Sequence, residues 1–246
     1  MQLRGSTCLV TGGSSGIGAA TALALSSAGA SVVVAGTDAE RTAAVAARAG
    51  GRALTADLRE PDAAAQLAAE AGPLDVLVNN AGVGWSGPFA EMPQERISEL
   101  VALDLTAAML LTREVLPGMA ERGRGHVVNV GSIAGHAGGR GEAVYAACKA
   151  GLAGFTEALR QEHASGPIDF SLIVPGPVDT PFFERRGTPY ERSFPHPVNA
   201  GRVAVAVRDA ILERRAEVVV PAWLGVAMRV RGAAPELYRP LADRFG

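Results

Sequence analysis

Short apolar runs alternate along this chain with longer segments of helical periodicity, and this alternation limits the folds that the chain can adopt. Several runs are apolar without interruption, such as Val32-Val33-Val34 and Val76-Leu77-Val78. Strands that are buried on both faces have this composition, which indicates a parallel sheet covered by helices. We therefore predict a doubly wound α/β fold with seven parallel strands in three layers, α/β/α, joined by right-handed crossovers.

The predicted elements follow one another without an internal repeat or a linker, so a single domain over residues 1–246 is expected. One irregular segment, residues 177–197, is long for a loop in a compact domain, and such loops are usually lids over a binding site. Residues 221–246 form a C-terminal tail. The predicted strands are residues 7–11, 31–35, 52–55, 75–79, 126–130, 169–174 and 217–220. The predicted helices are residues 16–28, 38–49, 61–71, 93–120, 144–164 and 199–214.

The composition excludes several classes of protein. With 48% hydrophobic and 20% charged residues, the chain is expected to be globular rather than disordered. A net charge of -2 without runs of like charge argues against a nucleic-acid partner, and no apolar run is long enough to span a membrane. Cys8 and Cys148 lack metal-ligand spacing and are expected to be buried free thiols. The first strand starts too early for a signal peptide to precede it, so a cytoplasmic location is expected.

A glycine-rich turn lies between the first predicted strand and the first predicted helix. Residues 11–18 read Thr-Gly-Gly-Ser-Ser-Gly-Ile-Gly. Glycines permit a tight turn and a close backbone approach, while the start of the helix offers free N–H groups and a positive dipole end to a pyrophosphate. Such a turn can also be purely structural. Its place in an α/β chain favours a dinucleotide site.

The stretch from Ser132 to Lys149 carries the residues best suited to proton transfer. Tyr145 and Lys149 are four residues apart, which puts them on one face of the predicted helix. A nearby ammonium group favours the phenolate and lowers the tyrosine pKa, and Ser132 at the end of the preceding strand can bind the same substrate oxygen. A Tyr and a Lys at this spacing can also form a solvated face. However, Lys149 is the single lysine among 23 basic residues, which indicates that this position needs a compact ammonium group.

Four motifs in order make the chain resemble the short-chain dehydrogenase/reductase family, in its compact single-domain branch, over nearly the whole length. These are the glycine turn with Gly12, Gly16 and Gly18, then Asn79-Asn80-Ala81-Gly82, then Ser132 with Tyr145 and Lys149, and finally Pro175-Gly176 followed by Thr180.

The resemblance implies a Rossmann-type sheet, a nicotinamide dinucleotide, and hydride transfer between that cofactor and an alcohol or carbonyl. The glycine turn is implied to hold the pyrophosphate and the adenosine ribose, and residues after the later strands to contact adenine, the nicotinamide ribose and the carboxamide. Asn79-Asn80 can also be read simply as a turn at the end of a strand. The residues assigned to the cofactor are Gly12, Ser14, Ser15, Gly16, Ile17, Gly18, Thr37, Asp57, Leu58, Asn79, Ala81, Gly82, Tyr145, Lys149, Pro175, Gly176, Val178 and Thr180.

One position departs from the family pattern. The slot that usually holds an asparagine, completing a tetrad with the catalytic Ser, Tyr and Lys, is Asp104 in this chain. An aspartate also accepts hydrogen bonds, so it can keep a relay to Lys149. Its negative charge would raise the pKa values of Lys149 and Tyr145.

The end of the second strand indicates NADP rather than NAD as the cofactor. The slot that is acidic in NAD-binding members is Gly36, so no carboxylate repels a 2′-phosphate there. Thr37, Ser14 and Ser15 can donate hydrogen bonds to such a phosphate, and Arg41 can supply a charge. Asp38 lies close by, and its carboxylate would repel such a phosphate.

The expected reaction is hydride transfer to or from a hydrophobic ketone or secondary alcohol, with Tyr145 as general acid/base and Ser132 as an orienting donor. Two alternatives stay open: a catalytically silent dinucleotide sensor or scaffold, and a lyase or epimerase that uses the Tyr–Lys pair. The substrate pocket is expected from residues 82–92, 133–144 and 182–194. Its apolar lining is predicted to be Trp85, Phe89, Phe182, Phe183 and Tyr190.

The C-terminal tail departs from the short strand and Gly-Gly pair that end tetrameric members of the family. We expect it to cover the pocket mouth or a subunit contact, which favours a homodimer over a tetramer. The apolar residues of the tail are Trp223, Leu224, Met228, Leu237, Tyr238 and Leu241.

Overall fold

A computed structural model describes residues 1–191 and 194–236. Its main feature is one parallel sheet of seven strands in the order β3-β2-β1-β4-β5-β6-β9. The strands are β1 Thr7–Thr11, β2 Ser31–Gly36, β3 Arg52–Thr55, β4 Val76–Asn79, β5 Gly125–Val130, β6 Ile168–Pro175, β7 Val178–Asp179, β8 Val198–Asn199 and β9 Glu217–Val220. Strands β7 and β8 pair with each other in a separate parallel ribbon. The predicted doubly wound sheet is confirmed.

Helices cover both faces of the large sheet. They are α1 Gly16–Ser27, α2 Ala39–Arg48, α3 Ala63–Ala71, α4 Gln94–Val101, α5 Ala107–Glu121, α6 Ile133–Ala137, α7 Ala143–Glu162, α8 Phe182–Arg185, α9 Ala200–Glu213 and α10 Leu224–Ala233. Because strand side chains alternate between faces, Val10 and Val78 pack in the core beneath α1 and α9. Leu9 and Leu77 pack on the other face, beneath α3 and α5.

The sequence prediction of one helix over residues 93–120 is wrong in detail. The segment consists of α4, a π-helical turn at Ala102–Thr106, and α5. A π-helical turn inserts one extra residue into the hydrogen-bond ladder, and such turns often occur at functional sites. The extra residue lies in the turn that contains Asp104.

The segment expected to be irregular has structure of its own. Val178 pairs with Val198 across the small ribbon, and α8 lies between its two strands. The two ends of the predicted lid, residues 177–197, are therefore paired with each other, and Val178 and Val198 also pack in the core beneath α1 and α9. Helices α6 and α10 were not predicted, because each is short and follows a loop.

The order of the strands reverses between β1 and β4, and ligands of such sheets bind in the crevice beyond the carboxyl ends of the strands at this point. The glycine turn follows β1, and Asn80 follows β4. Within the described part of the chain, no helix is long and apolar enough to cross a membrane. Leu237, Tyr238 and Leu241 of the predicted tail lie outside the described residues.

Candidate active site

A groove of about 600 Å³ runs along the carboxyl edge of the sheet. It extends from Gly36 and Thr37 after β2, across the glycine turn, to Tyr145 and Lys149 on α7. The lid covers it with Phe182 and neighbouring residues. All four predicted catalytic residues line it, and so do fifteen of the eighteen predicted cofactor residues, namely Gly12, Ser14, Ser15, Gly16, Ile17, Thr37, Leu58, Ala81, Gly82, Tyr145, Lys149, Pro175, Gly176, Val178 and Thr180.

The glycine turn has the backbone shape that its sequence predicts. Gly12 and Gly16 have φ of 61° and 55°, a conformation that side chains disfavour. The Asn80 amide donates to the carbonyl oxygens of Thr11 at 2.9 Å and Gly12 at 3.3 Å, which holds the turn against β4. Gly18 was predicted to contact the cofactor, but it does not line the groove. A Cβ there would overlap the Gly12 carbonyl oxygen, so this glycine lets α1 pack tightly against the turn.

Asn79 does not line the groove, so the structure does not bring its side chain together with the other residues predicted to bind the cofactor. The Asn79 amide is buried and donates to Asn129 Oδ1 at 2.9 Å and to Thr112 Oγ1 at 3.2 Å. The strand period of two puts Asn79 on the face of Leu77, away from the ligand crevice. Asn80, one residue later, takes the place beside the glycine turn.

Asp57 also lies outside the groove, and only Leu58 beside it contributes to the lining. The Asp57 carboxylate pairs with Arg59 at 2.5 Å. This hydrogen-bonded pair lowers the pKa of Asp57. The same arginine reaches Glu99 of α4 at 2.7 Å, so Asp57 belongs to a surface ion-pair network.

The predicted catalytic residues Ser132, Tyr145 and Lys149 lie just after β5 and near the start of α7. Ser132 follows β5 and caps α6, its Oγ accepting from the backbone N–H of Ala134 at 3.1 Å. Tyr145 and Lys149 lie one turn apart near the start of α7, and Lys149 Nζ is 5.6 Å from the centre of the Tyr145 ring. The lysine is buried, with only 5% of its surface exposed.

Asp104 is the acidic partner of this buried lysine. Lys149 Nζ lies 3.2 Å from Asp104 Oδ1 and donates to the Val130 carbonyl oxygen at 3.2 Å. Asp104 Oδ2 accepts the backbone N–H of Val83 at 3.0 Å. A Cβ on Gly82 would come within 2.5 Å of Asp104 Oδ1, so a glycine is needed for the carboxylate to fit. Since an unpaired buried charge is costly, Asp104 allows Lys149 to remain an ammonium ion.

The pKa values of the three groups follow from burial and mutual charge. Burial raises the pKa of Tyr145, and the negative charge of Asp104 raises it further. The positive charge of Lys149 and a hydrogen bond with Ser132 lower this pKa, but the net shift is upward. Burial works against the charge of Lys149, but Asp104 and Tyr145 outweigh it and raise the lysine pKa. Burial likewise raises the pKa of Asp104 against the effect of Lys149. The expected lowering of the tyrosine pKa is therefore wrong for the net shift, whereas the expected effect of Asp104 has the predicted sign.

The substrate end of the groove is less apolar than the sequence indicated. Phe182, Phe183 and Tyr190 line it, and the Phe182 ring lies 5.5 Å from the Tyr145 ring. Trp85 instead packs against the small core of Met92, Leu100 and Cys148, and Phe89 is 60% exposed, so neither lines the groove.

Sequence reasoning missed four arginines in the groove: Arg96, Arg140, Arg185 and Arg186. Arg96 pairs with Glu99, and Arg186 pairs with Glu142. Arg185 Nη2 donates to Ser15 Oγ at 2.7 Å, across 170 residues of sequence. No local pattern signals such a contact; the only hint is that the lid contains adjacent arginines.

At the adenosine end of the groove, Arg41 does not lie where it could supply the expected charge to a 2′-phosphate. Asp38 caps α2 by accepting the Arg41 N–H at 2.9 Å, and its other oxygen pairs with Arg41 Nε at 2.6 Å. These hydrogen bonds lower the pKa of Asp38. Neither residue lines the groove, which leaves Gly36 and Thr37 as its wall.

A nicotinamide dinucleotide fits these residues: the glycine turn has room only for a backbone, and hydroxyl donors follow the groove towards the Tyr–Lys pair. Such a fold and site define a dinucleotide-dependent oxidoreductase. The family model described as short chain dehydrogenase matches residues 6–191. The chain belongs to the short-chain dehydrogenase/reductase family and is an NAD(P)-dependent oxidoreductase acting on CH–OH or C=O groups.

Individual relatives agree with this assignment. The chain is 37% identical over 232 residues to ketoacyl reductase HetN from Nostoc sp., an alignment that covers 89% of this chain and 79% of the relative. A short-chain dehydrogenase from Sphingobium yanoikuyae in complex with NADPH superposes with a TM-score of 0.85 at 30% identity, covering 97% and 95% of the two chains. A family member from Burkholderia phymatum in complex with NAD gives a TM-score of 0.85 at 26% identity, covering 96% of each chain.

Proposed function

We propose that this protein is a carbonyl reductase in which Tyr145 donates the proton to the substrate oxygen. The observation that carries the proposal is the meeting of Ser132, Tyr145 and Lys149 in one groove with a tyrosine whose pKa is raised. A phenol with a raised pKa is protonated at neutral pH, which suits a proton donor. Reduction can use the protonated phenol directly, whereas oxidation of an alcohol needs the phenolate.

Each residue has a distinct role in the proposed reaction. The bound nicotinamide would supply the hydride to the carbonyl carbon. Ser132 and Tyr145 orient the carbonyl oxygen, and the phenolic proton passes to that oxygen as the hydride arrives. Lys149 then stabilises the phenolate that remains on Tyr145. Asp104 positions Lys149 and does not itself touch the substrate.

The proposed substrate is a ketone, or the matching secondary alcohol, with an apolar substituent. Phe182, Phe183 and Tyr190 form an aromatic wall, with ring centres 5.7 Å apart in the first pair and 5.0 Å apart in the second. The naming of one relative as a ketoacyl reductase supports a substrate that carries an acyl chain. Arg140 at the open side favours a polar or anionic group at the other end of such a substrate.

The proposed cofactor is NADP. Gly36 provides no carboxylate against a 2′-phosphate, and Thr37 lines the groove beside it. Asp38, the nearest acid, is held by Arg41, which offsets the repulsion that its charge would exert. The two solved relatives contain NADPH and NAD respectively, so this choice depends on the residues of this chain.

The test is NADPH oxidation with a panel of ketones. We expect turnover with a 3-oxoacyl thioester or a hydrophobic diketone, and slower turnover with NADH. Turnover that is insensitive to Tyr145→Phe would contradict the proposed proton donor. Tight dinucleotide binding without turnover on any ketone or alcohol would favour the silent-sensor alternative, and loss of a substrate group without net redox change would favour the lyase.

We also propose a single-domain homodimer located in the cytoplasm. Helix α10 exposes Val226 and Val230, and Trp223 beside it is 45% exposed and stacks on Phe194 at 5.1 Å. This apolar face supports a subunit contact. Light scattering should give a dimer mass, and a stable tetramer would contradict the proposal.

A further inference from the structure

The lid reaches the glycine turn through one arginine. Arg185 is the last residue of α8, and its guanidinium group donates to Ser15 Oγ at 2.7 Å. Ser15 directly precedes α1 and makes no side-chain cap on that helix. The contact therefore brings a positive side chain to the end of the groove where the proposed function puts the phosphates of the dinucleotide.

The Arg185 side chain is exposed, and its charge is unpaired among the described residues. Of the residues in the described ranges, none provides a carboxylate oxygen within 4 Å of it, whereas its neighbour Arg186 pairs with Glu142. The first turn of α1 contains no acidic residue either. A helix N-terminus carries a partial positive charge, so an anion between it and the guanidinium group would interact favourably with both.

Three other described arginines are less well placed than Arg185 to bind a phosphate beside the glycine turn. Arg41, which the sequence offered for a 2′-phosphate, is held by Asp38 and lies outside the groove. Arg96 is paired with Glu99. Arg140 lies in the loop before α7, on the substrate side.

We propose that Arg185 is a phosphate clamp that binds the dinucleotide from the lid side of the groove. The guanidinium group matches phosphate oxygens in a two-point hydrogen bond, and Ser15 orients it. This inference depends on the proposed dinucleotide function. It also links the two ends of the groove, because α8 begins with Phe182, whose ring packs against Tyr145. Phosphate binding at Arg185 would thus hold the aromatic wall over the catalytic tyrosine.

The test measures dissociation constants of NADP⁺ and NAD⁺ by calorimetry for wild type, Arg185→Ala, Arg185→Lys and Arg113→Ala. Arg113 is an exposed arginine on α5 away from the groove, and its removal matches the loss of charge. We expect Arg185→Ala to weaken dinucleotide binding about tenfold, the scale of one exposed charge-assisted hydrogen bond. Arg185→Lys should recover part of the loss, and Arg113→Ala should bind like wild type. Thermal unfolding checks that all variants are folded.

The two dinucleotides distinguish the phosphate involved. A loss confined to NADP⁺ identifies the 2′-phosphate, an equal loss for both identifies the pyrophosphate, and either supports the clamp. Binding within twofold of wild type for both, or an equal loss in Arg113→Ala, overturns it. If wild type binds neither dinucleotide, the proposed function itself fails, and this outcome is distinct because it does not depend on Arg185.

Discussion

Two buried titratable side chains lie near opposite ends of β5 and differ in charge. His126 lies on the strand near its amino end, and Lys149 of α7 lies beyond its carboxyl end. At the amino end, His126 Nε2 donates to Ser171 Oγ at 2.8 Å, and Ser171 donates to the Arg215 carbonyl oxygen at 2.5 Å. Burial, with nearby positive charges, lowers the pKa of His126 to about 3, so it is neutral. Beyond the carboxyl end, Lys149 is buried as deeply but is paired with Asp104.

The difference shows what a buried charge requires. His126 has only neutral hydrogen-bond partners, so burial drives its proton off. Lys149 faces a carboxylate across 3.2 Å, and its pKa rises despite the burial. One end of β5 thus holds a neutral imidazole, and beyond its other end helix α7 holds a buried ammonium ion. The variants below test whether the pairing causes this contrast.

The largest effect is expected from Tyr145→Phe. Loss of the phenolic proton donor should lower kcat for ketone reduction by about 10³-fold, within the usual range for a general acid. Dinucleotide affinity should stay within about threefold of wild type because the ring is retained. Steady-state kinetics and calorimetry measure the two quantities, and a decrease of less than tenfold in kcat would assign the proton to another group.

The next largest effect is expected from Lys149→Arg, even though the charge is kept. The planar guanidinium group is larger and cannot replace a compact ammonium ion between Asp104 Oδ1 and the Val130 carbonyl. We expect kcat to fall about 10²-fold in the same ketone assay. Near-wild-type turnover would show that the single lysine of the chain has no special role.

A smaller but more diagnostic effect is expected from Asp104→Asn. Removing the carboxylate removes its repulsion of the Tyr145 phenolate, so the pKa of Tyr145 should fall, and the pKa of Lys149 should fall with it. Alcohol oxidation needs the phenolate, so the acidic limb of its kcat/KM profile should move to lower pH. A profile that keeps its shape while activity drops would mean that Asp104 only supports the fold.

The smallest effect concerns stability at the amino end of β5. The folded state binds a proton at His126 only near pH 3, whereas the unfolded chain binds it near 6.5. Acidification below 6.5 therefore favours unfolding, by about 1.4 kcal/mol between pH 7.5 and 5.5 from this group alone. His126→Gln should remove this part of the pH dependence in denaturant unfolding. The exposed His196→Gln is the control, and an identical slope in wild type and His126→Gln would contradict the neutral, buried histidine.

The sequence predicts the elements that depend on local pattern. The strands, the glycine turn, and Tyr145 one turn before Lys149 all follow from spacing within ten residues or fewer, and the structure has them. The buried position of Asn79 also follows from a local pattern, because the alternation with Leu77 and Val78 puts it on the sheet face covered by α3 and α5.

Other features had no local signal. Trp85 was expected in the substrate pocket because it is aromatic and lies in the right loop, but whether an aromatic faces a pocket or a neighbouring helix is decided by tertiary packing. The contact between Arg185 and Ser15 joins residues 170 positions apart. The π-helical turn at Asp104 changes the phase of a helix by one residue, which hydrophobic periodicity over a long segment does not resolve.

The contact between Gly82 and Asp104 has a consequence for any attempt to redesign this enzyme. The Asp104 carboxylate occupies the space that a side chain at residue 82 would need, so substitutions at the two positions depend on each other. A methyl group at residue 82 would overlap Asp104 Oδ1 at 2.5 Å and lie 3.5 Å from Lys149 Nζ, so it would push the carboxylate away from the ammonium group. A side chain added at residue 82 should therefore be tolerated only together with a shorter side chain at residue 104, which preserves the space.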